Sequence, residues 1–238
     1  MPVMRINLWS SPRNLSTAMM YAFAQRADTI VVDEPLYAHY LRVTGLNHPG
    51  RDEILATMES DGRKVISDVI LGEYDKPVVF FKQMTHHFIE LDDSFMDVCD
   101  NIIFIRDPRE IIASYTKING LPSHADIGIR MQLDLYERLA SRGKVSAVLD
   151  ARTLQRDPAG TLRKLCERLG LAFDPAMLHW ERGGRPEDGC WAKYWYANIH
   201  NSTGFAPWQE KTITLNPEQE KLAAECEPVY RTLLQHAL

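Results

Sequence analysis

The sequence predicts an α/β protein built on an open, mainly parallel sheet with helices on both faces. Short apolar runs with the composition of buried strands recur at residues 5–9, 29–32, 77–81, 101–105 and 146–149. Helical segments of ten or more residues separate most of these runs, and such separations imply parallel pairing with right-handed crossovers. With 238 residues and 45% hydrophobic content, the chain is sized for one substantial core. We therefore expect a single domain over residues 1–238.

Helices are predicted between and after these runs. Ser16 or Thr17 caps the first, over residues 16–26. Asp107 followed by Pro108 is typical of a helix start, and that helix is expected to reach residue 118. The other helical patterns cover residues 51–71, with a break at Gly62, and residues 124–141, 158–169 and 217–234. Residues 179–208 hold four of the five tryptophans with little periodicity, which predicts a long irregular loop pinned down by its aromatic side chains.

The overall charge and the cysteine pattern narrow the class of protein. A net charge of −5 argues against a general nucleic-acid binder, which would need a basic face. No apolar run approaches the length of a membrane span, and no signal-peptide pattern precedes the first strand. The four cysteines are scattered, which favours free thiols, and no metal-ligand set is recognisable. We expect a cytoplasmic protein without a metal, whose partner is a small molecule rather than a nucleic acid or a membrane.

The turn after the first predicted strand has the composition of a phosphate-binding loop: Ser11, Pro12, Arg13, Asn14, Leu15, Ser16 and Thr17. Backbone N–H groups at the start of the following helix face any anion in the turn. Arg13 stands in mid-turn, where its charge is able to reach a transferring group. The loop is not a Walker A motif, because no glycine occurs before Gly45. An ordinary strand–turn–helix connection uses similar residues, so this loop does not decide the function alone.

A second candidate site follows the strand at residues 101–105. Arg106 stands at the exit of that strand and Ser114 lies about two turns into the next helix, so both are positioned to grip one phosphate. The alternative is that Arg106 pairs with Asp107 or another acid and that Ser114 is solvated.

Candidates for a general base follow two other strands. Glu34 stands beside Asp33 at a strand exit, where two close carboxylates would raise one pKa; a solvated turn pair is the alternative. His86 and His87 follow the strand that ends near Lys82, and a histidine in such a place is often structural. The residues alone do not choose among these three.

Several of these segments resemble sulfotransferases. Residues 12–17, PRNLST, resemble the 5′-phosphosulfate loop of that family, usually P-K-S-G-T-T, with Arg13 in place of Lys and Leu15 in place of Gly. The block IFIRDPREIIASY, residues 103–115, is similar to the element that holds the 3′-phosphate of PAPS, and Arg106 and Ser114 match its Arg and Ser. Residues 148–171 are similar to the structural segment that follows this element in the family.

The resemblance implies a P-loop-NTPase-like sulfotransferase fold and metal-independent, in-line transfer of a sulfuryl group from PAPS to a hydroxyl or amine of a small-molecule acceptor. It implies that Arg13 stabilises the leaving phosphate and that the base is His86, which follows Thr as in the family's Lys-Thr-His element. His87 remains open, as does Glu34, since some bacterial sulfotransferases use a glutamate at about this place. The alternatives are a P-loop-type small-molecule kinase and a non-catalytic nucleotide-binding module. Leu15, in place of the family's Gly, is the best argument for the nucleotide-binding module.

Overall fold

The computed structural model describes residues 3–210 and 212–238, and its single five-stranded sheet contains all the predicted strands. The strands are β1 (Met4–Ser10), β2 (Thr29–Asp33), β3 (Val78–Met84), β4 (Asp100–Ile105) and β5 (Val145–Asp150). They lie in the order β2-β3-β1-β4-β5, and all four pairings are parallel. The prediction of an open α/β sheet is confirmed, and the sheet is parallel throughout rather than mainly parallel.

The helices are short except for four of them. They are α1 (Ser16–Ala24), α2 (Tyr37–Thr44), α3 (Arg51–Thr57), α4 (Gly62–Lys64), α5 (Pro108–Asn119), α6 (His124–Ile127), α7 (Ile129–Ser141), α8 (Ala151–Arg156), α9 (Pro158–Arg168), α10 (Ala192–Trp195), α11 (Ala197–His200) and α12 (Pro217–Leu234). No helix in the described ranges combines the length and the apolar character needed to cross a membrane.

The helices cover both faces of the sheet, because successive strand side chains point to opposite faces. Ile6 and Leu8 of β1 point to one face, where α1, α8 and α9 bury their apolar sides. Trp9 points to the other face, which α5, α7 and α12 cover. The result is a three-layer arrangement with an apolar core on each side of the sheet.

The strand order places the candidate residues together. The chain runs from β1 to β2 and β3 on one side of the sheet and then to β4 and β5 on the other, so β1 is the point at which the order reverses. Ligands of open α/β sheets bind outside the carboxyl ends of the strands at such a point. The segments that follow β1, β2, β3 and β4 all emerge at this edge.

The start of α1 differs from the prediction. Leu15 occupies the N-cap position with φ −92°, no side chain caps the helix, and the helix ends at Ala24 rather than at residue 26. Ser16 and Thr17 therefore lie inside the first turn, and the prediction that one of them caps the helix is wrong.

Two other predicted segments are divided. The predicted helix over residues 124–141 breaks at Gly128, which adopts a left-handed conformation with φ +70° and ends α6. Within residues 51–71, α3 ends at Thr57 and α4 begins at Gly62 and runs into a π-helical segment, Val65–Ile70. The predicted break inside this segment is thus confirmed, but it lies at residues 58–61, and Gly62 begins the next helix.

Residues 179–208 are more ordered than the lack of periodicity predicted, since they include α10 and α11. Trp191 and Tyr196 are buried against Tyr37 and Leu41 of α2. The prediction that aromatic side chains pin this segment to the body is confirmed.

Candidate active site

A cleft of about 1710 Å³ opens at the carboxyl edge of the sheet. Every site residue that the sequence predicted lies on its wall: Ser11, Pro12, Arg13, Asn14, Leu15, Ser16, Thr17, Glu34, His86, Arg106 and Ser114, together with His87. The residues come from four separate strand exits, and the fold brings them to one cavity. Their chemical roles follow from the contacts described next.

In the loop between β1 and α1, Arg13 adopts a left-handed backbone conformation with φ +60°. Leu15 has φ −92°, so the place where the family pattern has Gly does not require a positive φ in this chain. Asn14 holds the loop to the sheet: its Nδ2 donates to the carbonyl of Phe104 at 2.7 Å, and its Oδ1 accepts from the N–H of Leu15 at 2.8 Å. The side chain of Asn14 therefore shapes the loop, and its contact with a cofactor stays a prediction.

Several hydrogen-bond donors in this loop are available to an anion. The first backbone bond of α1 runs from Met19 to the carbonyl of Leu15 at 3.0 Å, which leaves the N–H groups of Ser16, Thr17 and Ala18 for another acceptor. The Oγ atom of Ser11 is buried and has no hydrogen-bond partner among the described residues. Donors grouped at a helix N-terminus form an anion site.

Arg13 links this loop to the second predicted site. Its Nε donates to Oγ of Ser114 at 3.1 Å, and its carbonyl accepts from Nη1 of Arg106 at 2.5 Å. Burial, and then the nearby charge of Arg106, lower the pKa of Arg13, which nonetheless stays charged. An anion bound here would be stabilised by two neighbouring cations.

Arg106 also has an acidic partner that the sequence reading did not name. Its Nε and Nη2 donate to Oε2 of Glu110 at 3.0 and 2.9 Å, while Asp107 caps α5 through the N–H of Arg109 and pairs with Arg152. The predicted alternative that Arg106 pairs with Asp107 or another acid is thus confirmed, the acid being Glu110, whereas Ser114 bonds to Arg13 instead of being only solvated. The spacing of four residues, from the strand exit into the first turn of the predicted helix, was the signal for Glu110. Both side chains of this pair are 15% exposed.

Glu34 lies in a buried ion pair. It follows β2 with a left-handed φ of +44°, a conformation that costs a non-glycine residue about 1 kcal/mol. Lys82 donates to Oε1 of Glu34 and, at 2.9 Å, to Oδ1 of Asp33. Burial raises the pKa of Glu34 and Asp33 raises it further, whereas Lys82 opposes this shift. Burial alone would lower the pKa of Lys82, but the two carboxylates outweigh it and raise that pKa.

The two histidines have different surroundings. His87 is buried and stacked between Tyr37 and Tyr40, with ring centroids 4.5 and 4.8 Å away, and its Nδ1 lies 3.8 Å from Oε2 of Glu34. His86 is half-buried on the cleft wall with its ring against Tyr40. Burial, with repulsion from His48, lowers the pKa of His86 to about 4. Burial, with repulsion from His86, also lowers the pKa of His87, so both rings are neutral at pH 7.

A parallel sheet has a candidate anion-binding loop, which contains Arg13, after its first strand and Arg106 at the exit of the adjacent strand, and this arrangement is that of a P-loop-like α/β protein. A family model described as a sulfotransferase domain matches residues 4–237, and the chain therefore belongs to the sulfotransferase family.

Two curated proteins are similar to nearly the whole of this chain. Branched-chain-amino-acid aminotransferase-like proteins 1 and 2 of Arabidopsis thaliana are each 42% identical over 232 residues, which is 97% of this chain but only 42% and 41% of theirs. The chain thus spans about two fifths of the length of these curated relatives.

Solved sulfotransferases share the fold. A sulfotransferase from Alicyclobacillus acidocaldarius has a TM-score of 0.58 at 12% identity and covers 100% of this chain and 98% of its own. The sulfotransferase domain from the curacin biosynthetic pathway has a TM-score of 0.55 at 16% identity, and the match covers 95% of this chain and 98% of that domain. A mouse sulfotransferase complexed with PAP has a TM-score of 0.55 at 13% identity, and the match covers 98% of this chain and 88% of the mouse chain.

Proposed function

We propose that this chain transfers a sulfuryl group from PAPS to a hydroxyl or amine of a small-molecule acceptor. The observation that carries the proposal is the contact of Arg13 with both Ser114 and Arg106, beside the available N–H groups of α1. It joins the loop that resembles the 5′-phosphosulfate loop to the element that resembles the 3′-phosphate site. The mouse neighbour that was solved with PAP, the product of PAPS, supports this donor.

The donor would be held at both phosphates. The 5′-phosphosulfate would accept from the N–H groups and hydroxyls of Ser16 and Thr17 and from the buried hydroxyl of Ser11, while Pro12, Asn14 and Leu15 shape the loop. The 3′-phosphate would meet Arg106 and Ser114. Three of the five N–H groups of Arg106 are used by Glu110 and Arg13, and the hydroxyl of Ser114 accepts from Arg13, so its own hydrogen is free to donate.

The transfer is an in-line displacement at sulfur. The acceptor oxygen or nitrogen forms a bond to sulfur while the bond from sulfur to the bridging oxygen breaks, and PAP leaves with the electron pair on that oxygen. Charge grows on the bridging oxygen, where Arg13 and the N–H groups of α1 would stabilise it. No protein group forms a covalent bond in this step.

The proton of the acceptor goes to Glu34 in this proposal. A general base needs a pKa that approaches the working pH, and the pKa of Glu34 is raised by its burial. His86, with a pKa of about 4, is a weaker proton acceptor at neutral pH, and we assign it to the wall of the acceptor cavity. His87 would face Oε2 of Glu34, the carboxylate oxygen that Lys82 does not contact.

The test is turnover of PAPS with a panel of phenols, alcohols and amines, followed by mass spectrometry of PAP and of the sulfated product. We expect product from the wild type and from Arg63→Ala, a matched change at an exposed arginine, and strongly reduced product from Arg13→Ala. Phosphorylation of an acceptor by ATP would favour the kinase instead. Tight binding of PAP without turnover of PAPS would favour the nucleotide-binding module.

A further inference from the structure

A tyrosine from residues 179–208 completes the buried ion pair on the wall of the cleft. Tyr196 lies between α10 and α11 and is 5% exposed. Its hydroxyl donates to Oδ2 of Asp33 at 2.7 Å and accepts from Nζ of Lys82 at 2.6 Å. Asp33, Lys82 and Tyr196 come from β2, from β3 and from a segment more than 100 residues further along the chain.

The hydrogen bonds of this network are distributed unequally between its two carboxylates. Lys82 uses its three N–H groups on Asp33, Glu34 and Tyr196, as a buried ammonium requires. Asp33 accepts from Lys82, from Tyr196 and from the N–H of Gly189 at 3.3 Å. Among the described residues, Glu34 accepts a hydrogen bond from Lys82, the hydroxyl of Tyr196 lies close enough to lower the pKa of Glu34, and Nδ1 of His87 lies 3.8 Å from its other oxygen. Asp33 therefore accepts three hydrogen bonds, and Glu34, with fewer, is the carboxylate left to exchange a proton.

Lys82 controls the charge of Glu34. The titratable groups that face Glu34 are Asp33 beside it, Lys82 of β3, His87 of the following turn, Tyr37 of α2, and Tyr196. Among them Lys82 carries the positive charge, because burial keeps His87 neutral. A small movement of the ammonium between Asp33 and Glu34 would thus change how tightly Glu34 holds a proton.

We propose that Tyr196 is a positioning residue for the base: its hydroxyl satisfies Asp33 and thereby keeps Lys82 shared with Glu34. This inference rests on the proposed role of Glu34 in sulfuryl transfer. Without the hydroxyl, Asp33 loses a donor and draws Lys82 toward itself, so Glu34 loses part of its counter-charge and binds its proton more tightly. Because Trp191, in the same segment, donates to the hydroxyl of Tyr196 at 3.2 Å, the packing of this segment on α2 is coupled to the base.

The test compares Tyr196→Phe with Tyr194→Phe. The two tyrosines stand in the same segment, but Tyr194 is 46% exposed and its ring lies against Gly50, outside the network. We expect the apparent pKa of the acidic limb of kcat/KM to rise by about one pH unit in Tyr196→Phe, which makes kcat/KM roughly tenfold lower at pH values below that limb. Tyr194→Phe should match the wild type, and PAP affinity should be equal in all three proteins.

A second variant reverses the expected sign. Asp33→Asn removes the anion that competes for Lys82, so the pKa of Glu34 should fall rather than rise. A uniform loss of kcat at every pH in Tyr196→Phe, with the acidic limb unmoved, would show a structural role only and overturn the proposal. Shifts of equal sign in Tyr196→Phe and Asp33→Asn would overturn it as well.

A spectroscopic readout separates this inference from the proposed function. The carboxyl carbon of Glu34, labelled with carbon-13 and assigned by its loss in Glu34→Gln, is titrated by NMR in the wild type and in Tyr196→Phe. If the wild type does not turn over PAPS but the NMR titration shifts, the proposed function fails and the positioning role stands. If PAPS is turned over and the titration of Glu34 does not shift, the positioning role fails alone.

Discussion

The pairing of Arg106 with Glu110 predicts that loss of this ion pair will strengthen donor binding, whereas loss of a polar contact in a binding site usually weakens it. If Arg106 meets the 3′-phosphate, Glu110 and the phosphate compete for one guanidinium. Glu110→Gln keeps the size of the side chain and removes its charge, so we expect it to bind PAP more tightly than the wild type does. Arg152, the other partner of Glu110, keeps its bond of 2.7 Å to Asp107.

The expected gain in PAP affinity depends on how far the Arg106–Glu110 pair is shielded from solvent. Exposed ion pairs contribute up to about 1 kcal/mol, and breaking a buried pair costs about 3–5 kcal/mol. Arg106 and Glu110, each 15% exposed and joined by bonds of 2.9 and 3.0 Å, lie between these limits. We take about 2 kcal/mol for the competition, which corresponds to roughly thirtyfold in the dissociation constant of PAP.

The assay is isothermal calorimetry with PAP and with 5′-AMP, which lacks the 3′-phosphate. Glu110→Gln should raise the affinity for PAP and leave that for 5′-AMP within about twofold. Glu220→Gln is the matched control, since Glu220 pairs with Arg109 of the same helix and is 46% exposed. Weaker binding of PAP by Glu110→Gln would refute the reasoning, because it would mean that the carboxylate orients Arg106 or that the phosphate binds elsewhere.

Four further predictions follow from the site. Arg13→Ala should lower the single-turnover rate roughly a hundredfold and change PAP affinity only a fewfold, as expected for a group that acts in the transition state; an unchanged rate would remove Arg13 from the mechanism. Glu34→Gln should reduce turnover more than His86→Ala does, and the reverse order would make His86 the base. The pKa of His86 falls from 6.5 to about 4 on folding, so the unfolded chain binds the extra proton between these pH values. The contribution of the neutral ring to the free energy of unfolding is therefore complete above pH 6.5 and is lost as the pH falls toward 4. In denaturant titrations, the free energy of unfolding of His86→Phe should fall by about 2 kcal/mol less over this range than that of the wild type, a figure that allows for the partial exposure of the ring. Turnover should persist in EDTA, because arginine and N–H donors supply the positive charge, and a loss that Mg²⁺ restores would contradict this.

The sequence was sufficient to predict the sheet, because each strand contains a short, largely apolar run with several buried positions. Residues 78–84 of β3 are buried throughout, including Lys82 and Gln83. The loop after β1 and the exit of β4 could be found because each is a contiguous stretch of chain. The division of residues 124–141 was missed, since one left-handed glycine, Gly128, interrupts a pattern that is otherwise helical.

The partners of the candidate base could not be found in the same way. Asp33 and Lys82 are aligned residues of neighbouring strands, a fact that requires the strand order. Tyr196 reaches them from a segment without periodicity, where no pattern indicates which aromatic side chain points inward. Glu110 was within reach, since its spacing from Arg106 is that of a helical ion pair.

The most direct test of the central claim is the affinity of the wild-type chain for PAP and for 5′-AMP. Two hydrogen bonds to a charged phosphate, from Arg106 and Ser114, contribute about 3–6 kcal/mol, and competition by Glu110 places the expected discrimination near the lower end, at about a hundredfold. Arg106→Ala should remove most of this difference without changing 5′-AMP binding, and Arg109→Ala, a change three residues further on in the first turn of α5, should preserve it. Equal affinities of the wild type for the two nucleotides would contradict the assignment of PAPS as the donor.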